Sequence, residues 1–600
     1  MKTKAIAYDS SWVRRLWLML LVATAALVLA GCFGSGAIKY GDPDVNGGGG
    51  GGGPSSAVTA SYAATGTIGV FTRSILVSFS RELTADERQY VEENFSVTDE
   101  EKNPFPVVDA YWLSGSLFRI CGPLEYGATY DVDIGDLPVS ASVGKATELS
   151  GSVTLDVNPF DFDGGVGLSA DLPFIFQGVM ADYLVILLGE QISLLPSSVI
   201  PTETLINFNL VWNFSTRARI RAPMMMRNWD GSGMPSVNEW ADGTFLIWNR
   251  YDMSDTSFHS SIDPPVLPSC KIDLLAGVGD LDADGIDDAM YGVECKTGGS
   301  DRYYGVAIIR GAIPSELNMA LGALMVASGS IGSATPTSTH HYADPMTTPA
   351  DLDGDGFFDI AGVWRDAGFD SDGYFIVESS EAQIFFGSED LSSMLAAPGA
   401  TIAMTKPNRD LTGAYAADVN GDGVSDLILT SVYRPLNAPD GKLEPEVHVF
   451  LGGDHMRGSM TDADASFVIR QTQSLEASVT VTVIGDENAD GREDIFLNYT
   501  YSPGVKLMYL MHGRKIYKAE YVIESDYDKY IVPGDNYDQP GLSFPARTGD
   551  IDNDGYDDFM LKANADDLGD RPVILVIMGG GAGEHIMLEE DVYTRILLEP

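Results

Sequence analysis

The sequence predicts an all-β protein built mainly from repeated units of short strands, and two observations support this. An acidic loop of one pattern occurs five times, and an apolar run closing on glycine, or once on asparagine, occurs seven times. The units are about 60 to 70 residues long. Units of this length with several short strands are typical of β-propeller blades, in which radial repetition protects the sheet edges.

The first acidic loop lies in GDLDADGIDD, residues 279–288. Asp280, Asp282, Asp284 and Asp288 stand at positions 1, 3, 5 and 9 of this loop, and Gly285 stands at position 6. Calcium takes six to eight oxygen ligands, which alternate side chains and a backbone carbonyl of a tight loop can supply. Glycine at position 6 permits the sharp turn. The spacing therefore predicts a calcium site.

The same pattern returns as DLDGDGFFD from Asp351, DVNGDGVSD from Asp418, DENADGRED from Asp486 and DIDNDGYDD from Asp550. We number the five loops 1 to 5 in chain order. Their starts are separated by 71, 67, 68 and 64 residues. A near-constant period marks an internal repeat of one supersecondary unit.

The EF-hand is the nearest alternative for these loops, because it shares the alternating acids and the central glycine. An EF-hand also needs a glutamate at position 12 and a following helix. Position 12 is occupied by Tyr291, Gly362, Leu429, Leu497 and Leu561, none of which is an acid. A dockerin-type loop is disfavoured for the same reason. Strand-like runs such as DLILTSV follow the loops, so each loop is predicted to join two strands.

A second signature follows each loop start by 27 to 36 residues: an apolar strand that ends at Gly311, Gly387, Gly452, Gly513 or Gly579. Two earlier copies end at Gly189 and Asn249 and have no complete acidic loop. These positions predict seven units, of which the last five carry the loop.

The loop and strand signatures together resemble the FG-GAP/VCBS repeat family, whose best-known member is the N-terminal propeller of integrin α chains. That family carries D-x-[DN]-x-D-G-x-x-D between the first two strands of a blade. The resemblance implies a seven-bladed β-propeller over residues 153–600 with about five Ca²⁺ sites. The implied metal ligands are Asp280, Asp282, Asp284, Asp288, Asp351, Asp353, Asp355, Asp359, Asp418, Asn420, Asp422, Asp426, Asp486, Asn488, Asp490, Asp494, Asp550, Asp552, Asp554 and Asp558.

Two other interpretations of the loops stay open, namely solvated turns without metal and a catalytic or ligand-bridging metal. Fivefold repetition favours structural calcium, because an enzyme needs one site.

The N-terminus has the pattern of an export signal over residues 1–31. Basic residues precede an apolar run from Leu16 to Ala30, which is too short for a spanning helix. The run closes on LAGC, which looks like a bacterial lipobox with Cys32 as the lipidated residue. We therefore expect a lipoprotein attached to the bacterial cell envelope, at the outer membrane, on a face that the sequence leaves open.

Residues 32–56 form a glycine-rich tether after the predicted lipid anchor, and residues 57–152 form a separate region of short alternating strands. Its stretch LEYGATYDVDIG, Leu124 to Gly135, resembles the end of bacterial Ig-like domains, with Tyr130 in place of a corner tyrosine. The resemblance implies a small Ig-like β-sandwich that acts as a spacer.

The chain is strongly acidic, with a formal net charge of −49. This excess of carboxylates makes nucleic acid an unfavourable partner.

Three cysteines remain beyond Cys32. Cys270 and Cys295 flank loop 1 on its two strands, so a disulfide between them is one prediction and two free thiols are the other. Cys121 is then expected to be an unpaired buried thiol.

No common catalytic motif is visible, so the leading interpretation is non-enzymatic adhesion or recognition of an extracellular or envelope protein or a glycan. The alternatives are a propeller lyase or glycosidase acting on extracellular polysaccharide, and a scaffold of an outer-membrane complex. Titratable candidates for an enzyme are His340, His341 and the pair Asp454–His455, all expected as exposed loop residues. Trp229, Trp240 and Tyr303 are candidates for stacking on a ligand, and Trp248 is expected in the core.

Overall fold

The structure is a computed structural model of the full chain. It describes residues 58–66, 73–125, 128–137, 147–154, 174–178, 183–188, 191–196, 205–206, 212–215, 221–226, 236–241, 244–249, 260–262, 270–282, 288–296, 302–309, 324–330, 338–345, 350–369, 375–394, 397–435, 443–472, 477–501, 505–515, 517–534, 537, 542–550, 552, 554–568, 571–588 and 590–597. The predicted signal peptide, Cys32 and the tether lie outside these residues.

The fold is all-β, as predicted, with nine sheets in the described part of the chain. The first seven strands are β1 (Ala60–Gly66), β2 (Arg73–Phe79), β3 (Ser96–Thr98), β4 (Asp109–Ser114), β5 (Leu117–Cys121), β6 (Thr129–Leu137) and β7 (Thr147–Thr154). They form one sheet in the order β1-β2-β5-β4 and a second in the order β3-β6-β7.

The two N-terminal sheets bury one shared core, to which Ile75 and Phe118 come from the first sheet and Val97 and Val132 from the second. The Tyr130 hydroxyl accepts the backbone N–H of Glu125 at 2.9 Å, which is the upstream contact expected of a corner tyrosine. A helix, Ala85–Asn94, connects β2 to β3 and was missed in the sequence. Its capping box, Thr84 with Glu87, was the signal that could have predicted it.

Seven further sheets follow. Their first strands are β8 (Phe174–Gly178), β9 (Tyr183–Leu188), β10 (Gln191–Pro196), β11 (Leu205–Ile206), β12 (Trp212–Ser215), β13 (Arg221–Met226), β14 (Ser236–Ala241), β15 (Thr244–Asn249), β16 (Ser260–Ile262), β17 (Cys270–Gly279), β18 (Asp288–Lys296), β19 (Arg302–Ile309) and β20 (Leu324–Ser330). Three sheets result, in the orders β8-β9-β10-β12, β13-β14-β15-β16 and β17-β18-β19-β20.

The later strands are β21 (Ser338–Pro345), β22 (Ile360–Phe369), β23 (Phe375–Phe385), β24 (Ala400–Ala403), β25 (Arg409–Ala417), β26 (Asp426–Tyr433), β27 (Glu444–Phe450), β28 (Gly458–Thr461), β29 (Phe467–Arg470), β30 (Ala477–Gly485), β31 (Asp494–Tyr501), β32 (Val505–Met511), β33 (Glu520–Val522), β34 (Lys529–Val532), β35 (Ala546–Gly549), β36 (Asp558–Ala565), β37 (Arg571–Ile577), β38 (His585–Met587) and β39 (Val592–Leu597). Short helical turns occur at Leu391–Met394, Asp454–Met456, Asp462–Asp464, Ile523–Asp526 and Asp566–Leu568.

Four of the sheets take a fifth, parallel strand, which in three of them comes from the next stretch of chain. Their orders are β21-β22-β23-β24-β28, β25-β26-β27-β29-β33, β30-β31-β32-β34-β38 and β35-β36-β37-β39-β11. In the last of these, β11 pairs in parallel with β39, so a strand near residue 205 joins the sheet at the C-terminus. β35 also lies against β8. The last sheet in the chain is therefore a neighbour of the first of the seven.

The hydrophobic cores of the described repeat lie between successive sheets. One core joins β26 residue Ile428 to β31 residues Ile495 and Leu497. The flanking residues Leu427 and Leu429 point into the preceding core instead. Because successive side chains of a strand point to opposite faces, β26 buries both of its faces.

The strand predictions after the acidic loops are confirmed, as are the apolar strands before the closing glycines. One of the apolar runs differs from the others in its position. The run ending at Gly189 forms β9, which is the second strand of its sheet, whereas the other such runs form the third strand. An apolar run does not distinguish the two positions, because both strands have neighbours on each side.

Within the described residues, no helix has the length and apolar character needed to cross a bilayer.

Candidate metal centres

Each acidic loop joins the first and second strands of its sheet, as the sequence predicts. Loop 1 connects β17 to β18, loop 2 lies between β21 and β22, loop 3 connects β25 to β26, loop 4 connects β30 to β31 and loop 5 connects β35 to β36. The antiparallel pairing of these strands brings both ends of each loop together.

The first aspartate organises the turn in loops 2 to 5. In loop 3, Asp418 Oδ1 accepts the N–H groups of Gly421 at 2.7 Å and Asp422 at 3.1 Å, and its Oδ2 accepts that of Gly423 at 2.9 Å. Asp351 makes the same three contacts in loop 2. The glycine at position 6 has a positive φ in loops 2 to 5, between 81° and 96°, so this position requires glycine.

The acids at positions 1, 3 and 5 converge in loops 2 and 5. One carboxylate oxygen from each of Asp351, Asp353 and Asp355 lies within 4.8 Å of the others, and Asp550, Asp552 and Asp554 are arranged in the same way. In loop 1 the converging acids are Asp280, Asp282 and Asp288. The predicted ligand Asp284 lies outside the described residues.

Loops 3 and 4 have asparagine at position 3. The side-chain amide of Asn420 donates to Asp422 Oδ2 at 2.9 Å, and that of Asn488 donates to Asp490 Oδ2 at 3.2 Å. The amide oxygen accepts the backbone N–H of position 5 in both loops, at 2.7 Å and 3.0 Å. Loops 3 and 4 therefore keep the turn of loop 2 with one carboxylate fewer.

The aspartate at position 9 has a second role that the sequence did not reveal. Its Oδ2 accepts the N–H of position 2, from Leu281, Leu352, Val419 and Glu487 in loops 1 to 4. Its Oδ1 accepts the N–H of the glycine that closes the third strand, from Gly387, Gly452, Gly513 and Gly579 in loops 2 to 5. The acidic loop and the closing glycine thus form one hydrogen-bonded structure.

Neighbouring loops are also joined to one another through their backbones. The N–H of position 8 donates to the carbonyl of position 1 in the preceding loop, from Ser425 to Asp351, from Glu493 to Asp418 and from Asp557 to Asp486, at 2.9 to 3.1 Å. The residue after each closing glycine donates to the carbonyl of position 2 in the preceding loop, as Gly453 does to Leu352 at 2.9 Å. Loops 1 to 5 therefore form a continuous chain along one end of the sheets.

Buried charges reinforce this chain between loops 4 and 5. Asp486 donates its backbone N–H to Asp557 Oδ2 at 2.9 Å. Arg547, which is buried, lies between Glu493 and Asp557 at 3.4 Å and 3.3 Å. Lys529 donates to Glu487 at 2.6 Å. These acids stand at positions 2 and 8, which the metal pattern had left unexplained.

Burial raises the pKa of several carboxyl groups that would hold a cation. The pKa of Asp353 rises to about 6 and that of Asp418 to about 7, in each case mainly through loss of solvation. Asp359, Asp426, Asp486 and Asp494 have pKa values well above the usual range for the same reason, with neighbouring carboxylates adding to the shift. A buried cluster of this kind favours binding of either protons or a cation.

The residues fit a hard divalent cation. The donors are carboxylate and amide oxygens, and those of loops 2 and 5 already converge. The protein supplies one cation of its own at loop 2, where Arg457 contacts Asp353 and lies 3.0 Å from Asp355 Oδ2. The side chains of Glu487, Asp494 and His512 form a further set of possible metal ligands beside loop 4. Lys529 already pairs with Glu487 there.

The N-terminal sheets do not form the separate spacer that we expected. Tyr111 and Arg119, from β4 and β5, contact the carbonyl of Gly421 in loop 3. Cross-domain contacts of this kind could not be predicted from local sequence, because the partners are 310 and 302 residues apart.

The remaining candidate residues lie away from the loops or outside the described side chains. His340 and His341 lie within β21 and not in a loop, whereas Asp454 and His455 are exposed in a short helical turn, as expected.

Cys270 and Cys295 are directly opposite each other in the β17–β18 pair. Their disulfide stays a prediction, while Cys121 is free and buried as expected. Trp229 lies outside the described residues. Trp240, Trp248 and Tyr303 lie in β14, β15 and β19.

A serine of β26 and a histidine of β27 are hydrogen-bonded in the sheet that carries loop 3. Ser431 Oγ lies 3.0 Å from His448 Nε2. A Ser–His–acid triad needs the acid on the other ring nitrogen, but Glu446 lies 3.6 Å from the same Nε2. Ser431 is also fully buried. This arrangement is therefore a structural hydrogen bond and not a nucleophile.

No protein-family model matches the chain, and no curated protein matches it either. Among solved structures, one described as BBS1N in complex with ARL6DN is 10% identical, with 70% of this chain and 97% of that chain covered and a TM-score of 0.32. An ACO/RPE65 chimera is 8% identical, with 87% and 97% covered and a TM-score of 0.31. The C-terminal domain of Pseudomonas aeruginosa PilY1 is 9% identical, with 78% and 93% covered and a TM-score of 0.23. These likenesses are too low to support an argument about family or function.

Proposed function

We propose that the chain is a calcium-stabilised recognition protein of the bacterial cell envelope, built as a seven-bladed β-propeller of the FG-GAP/VCBS type with an N-terminal Ig-like domain. Cys32 would carry the lipid that attaches it to the outer membrane. Its partner would be a protein or a glycan.

The propeller arrangement is supported by the way in which the chain's last sheet meets its first. β11 pairs with β39 in the same parallel manner as β28 with β24, β33 with β29 and β38 with β34. In these four sheets a short strand from another unit joins the outer edge, and in one of them it links the first unit to the last, which is what a closed ring requires.

Calcium binding is the part of the proposal that the geometry supports best. The single observation that carries it is the convergence of three carboxylates, from buried to exposed, in each of loops 2 and 5. The residues at positions 1, 3, 5 and 9 of each loop would hold the ion. Bound calcium would supply positive charge to a cluster whose carboxylates otherwise repel one another. Since the loops are joined in a chain, this charge would stabilise the whole end of the ring.

The recognition surface is proposed at the opposite ends of the strands, because the N-terminal domain occupies the loop end. A cleft of about 410 Å³ opens there in the sheet of β25, β26, β27 and β29. Its lining is polar and carries both signs of charge: Lys406, Arg409, Glu444, Pro445, Glu446, Asp462, Arg470 and Gln471. Such a lining suits a hydrophilic ligand, such as a saccharide or a charged peptide segment.

The test is binding of residues 33–600 to panels of glycans, matrix proteins and envelope extracts, in calcium and in chelator. Calcium-dependent capture of a partner that is left chemically unchanged supports recognition. The pair Glu446→Gln and Asp454→Asn separates the cleft from an exposed acid elsewhere, since Glu446 lines the cleft and Asp454 does not. Equal loss of capture in both variants would argue against the cleft as the binding surface.

A polysaccharide-cleaving enzyme is the second candidate, favoured by the three carboxylates Glu444, Glu446 and Asp462 in one cleft. Two carboxylates are the usual requirement for glycoside hydrolysis. Shortening of a bound glycan in the same panel, abolished by Glu446→Gln, would replace recognition with this activity.

A further inference from the structure

The N-terminal domain rests directly on three consecutive acidic loops. Its first contact is with loop 3, where the Tyr111 hydroxyl donates to the Gly421 carbonyl at 2.9 Å. Arg119 Nη1 donates to the same carbonyl at 2.7 Å. Gly421 is position 4 of the loop, and its φ of +76° is part of the turn that surrounds Asp418.

The contacts with loops 4 and 5 are made at the position-6 glycines. A Cβ at Gly491 would lie 2.2 Å from Cys121 Sγ, and a Cβ at Gly555 would lie 2.2 Å from the Cα of Pro123. Arg492 of loop 4 also donates to Asp109 at 2.7 Å. The domain therefore fits a loop surface that exists only while the glycine turns keep this conformation.

The carboxylates of loop 3 are not fully neutralised by the contacts of the N-terminal domain. The loop carries three carboxylates, Asp418, Asp422 and Asp426, and the buried Arg119 lies beside the first of them, with Nη1 3.9 Å from Asp418 Oδ2. The guanidinium is held by Ser74 Oγ at 3.0 Å and Tyr111 Oη at 3.2 Å. Arg119 carries a single positive charge, so a divalent cation would still find uncompensated carboxylate oxygens in this loop.

We propose that cation binding at loops 3 and 4 and docking of the N-terminal domain on them are positively linked, so that each strengthens the other. The inference rests on the proposed calcium sites. Apart from Arg119 beside Asp418, the docking contacts are made to a backbone carbonyl, to glycine positions and to Arg492, whereas the cation would be held by side chains at positions 1, 3, 5 and 9. A bound cation therefore stabilises the turn that the domain contacts, and it does not displace the domain. By reciprocity, a docked domain raises cation affinity by the same factor.

Two glycine substitutions isolate the docking contact from strain within a loop. Gly491→Ala places a methyl group against Cys121, while Gly423→Ala stands at the same position of loop 3, where a Cβ has nothing within 4 Å. Both glycines have a positive φ, +81° and +89°, so the backbone penalty is matched. Tyr111→Phe, which removes only a hydroxyl group, is the milder variant if Gly491→Ala does not fold.

Alkylation of Cys121 measures docking, because this thiol is fully buried against loop 4. The residues 33–600 protein is treated with iodoacetamide in calcium or in chelator, and Cys121 is followed by peptide mass spectrometry. Equilibrium dialysis of ⁴⁵Ca²⁺ is run in parallel. We expect calcium to slow alkylation at least fivefold in the wild type. Gly423→Ala has the strain of alanine at a positive φ without a contact to the N-terminal domain, so it is the reference for Gly491→Ala. In Gly491→Ala and, to a smaller extent, in Tyr111→Phe, we expect faster alkylation and weaker calcium binding.

The two measurements distinguish the failure of this inference from the failure of the proposed function. If calcium binds but Cys121 reacts at the same rate with and without it, the linkage is overturned and the calcium sites stand. If no calcium binds, both the linkage and the proposed calcium sites are contradicted. Equal calcium affinity in Gly491→Ala and Gly423→Ala also overturns the linkage.

Discussion

Gly452 donates its backbone N–H to Oδ1 of Asp426 at 2.8 Å, and this bond joins the end of a third strand to the last acid of the loop between the first two. The equivalent hydrogen bond, from the closing glycine to the position-9 aspartate, occurs in loops 2, 4 and 5. It explains why an acidic loop and a glycine some 30 residues later repeat together. The carboxylate supports the sheet whether or not it also holds a cation.

Replacing this glycine should destabilise the protein. In Gly452→Ala, the Cβ would lie 2.4 Å from the carbonyl oxygen of Ser425, which belongs to the backbone and cannot move aside cheaply. We expect a loss of roughly 2 to 3 kcal/mol in unfolding free energy, typical of an overpacked core. Gly581→Ala, where a Cβ has nothing within 4 Å, is the control for thermal unfolding. Equal melting temperatures in the two variants would contradict the role of the closing glycine.

Loop 2 should contribute to calcium-dependent stability through its converging acids. Asp353→Ala with Asp355→Ala removes two of the three carboxylates that meet there. The melting temperature in calcium should fall, and the rise produced by calcium should shrink, because binding to the folded state alone stabilises it. Glu389→Ala with Asp454→Ala removes the same charge from two exposed positions and is the control. An unchanged melt in the first variant would speak against a metal at loop 2.

Arg457 should compete with a cation for loop 2. Its guanidinium contacts Asp353 and Asp355 and lies 4.7 Å from the centre of the Phe386 ring. The side chain is about half exposed, so the pair is worth at most about 1 kcal/mol. In Arg457→Gln we expect one calcium site to tighten roughly two- to fivefold in titration calorimetry.

Arg470→Gln removes the same charge far from the loops, where Arg470 pairs with Glu446 and Glu520. This control should leave calcium affinity unchanged. Weaker calcium binding in Arg457→Gln would show instead that the arginine supports the metal site.

His448 should make stability fall as the solution is acidified. Burial, together with the charge of Arg409, lowers the pKa of His448 from 6.5 to about 4. Arg409 donates to Ser431 Oγ, so the serine hydroxyl can donate to Nε2 of the neutral ring. The unfolded chain binds a proton near pH 6.5 and the folded protein only near pH 4. The histidine's contribution is therefore complete above pH 6.5 and is lost between these values, by at most about 3 kcal/mol.

Unfolding of His448→Gln and of the exposed control His455→Gln, measured from pH 7 to pH 4, tests this. The decline between pH 6.5 and pH 4 should be smaller in His448→Gln and unchanged in His455→Gln. Identical pH profiles for the wild type and His448→Gln would contradict a buried neutral histidine.

The predicted disulfide between Cys270 and Cys295 can be examined directly. The two residues are paired across neighbouring antiparallel strands, where Cα atoms lie about 4.5 to 5.5 Å apart, within the range that a disulfide spans. Peptide mapping of envelope-derived protein without reductant should recover a linked peptide that Cys270→Ser lacks. Two separately alkylated cysteines would establish free thiols.

The sequence by itself determined the elements that depend on local pattern. The alternating acids with a central glycine predicted a turn between two strands, and the period of 64 to 71 residues predicted that it would recur. Tyr130 was recognisable for the same reason, since its hydrogen-bond partner Glu125 is five residues away. Such features are encoded by spacing, because the backbone geometry of a turn or strand fixes where nearby side chains can reach.

Only the tertiary structure decided what these elements touch. Position-9 aspartates were predicted as metal ligands, but their hydrogen bonds to closing glycines required strands to be placed side by side. The contact from Tyr111 to Gly421 spans 310 residues and turns a predicted spacer into a domain docked on the loops. Nothing in either local sequence specifies that contact, because it depends on the shapes and buried charges of two surfaces that exist only after each has folded.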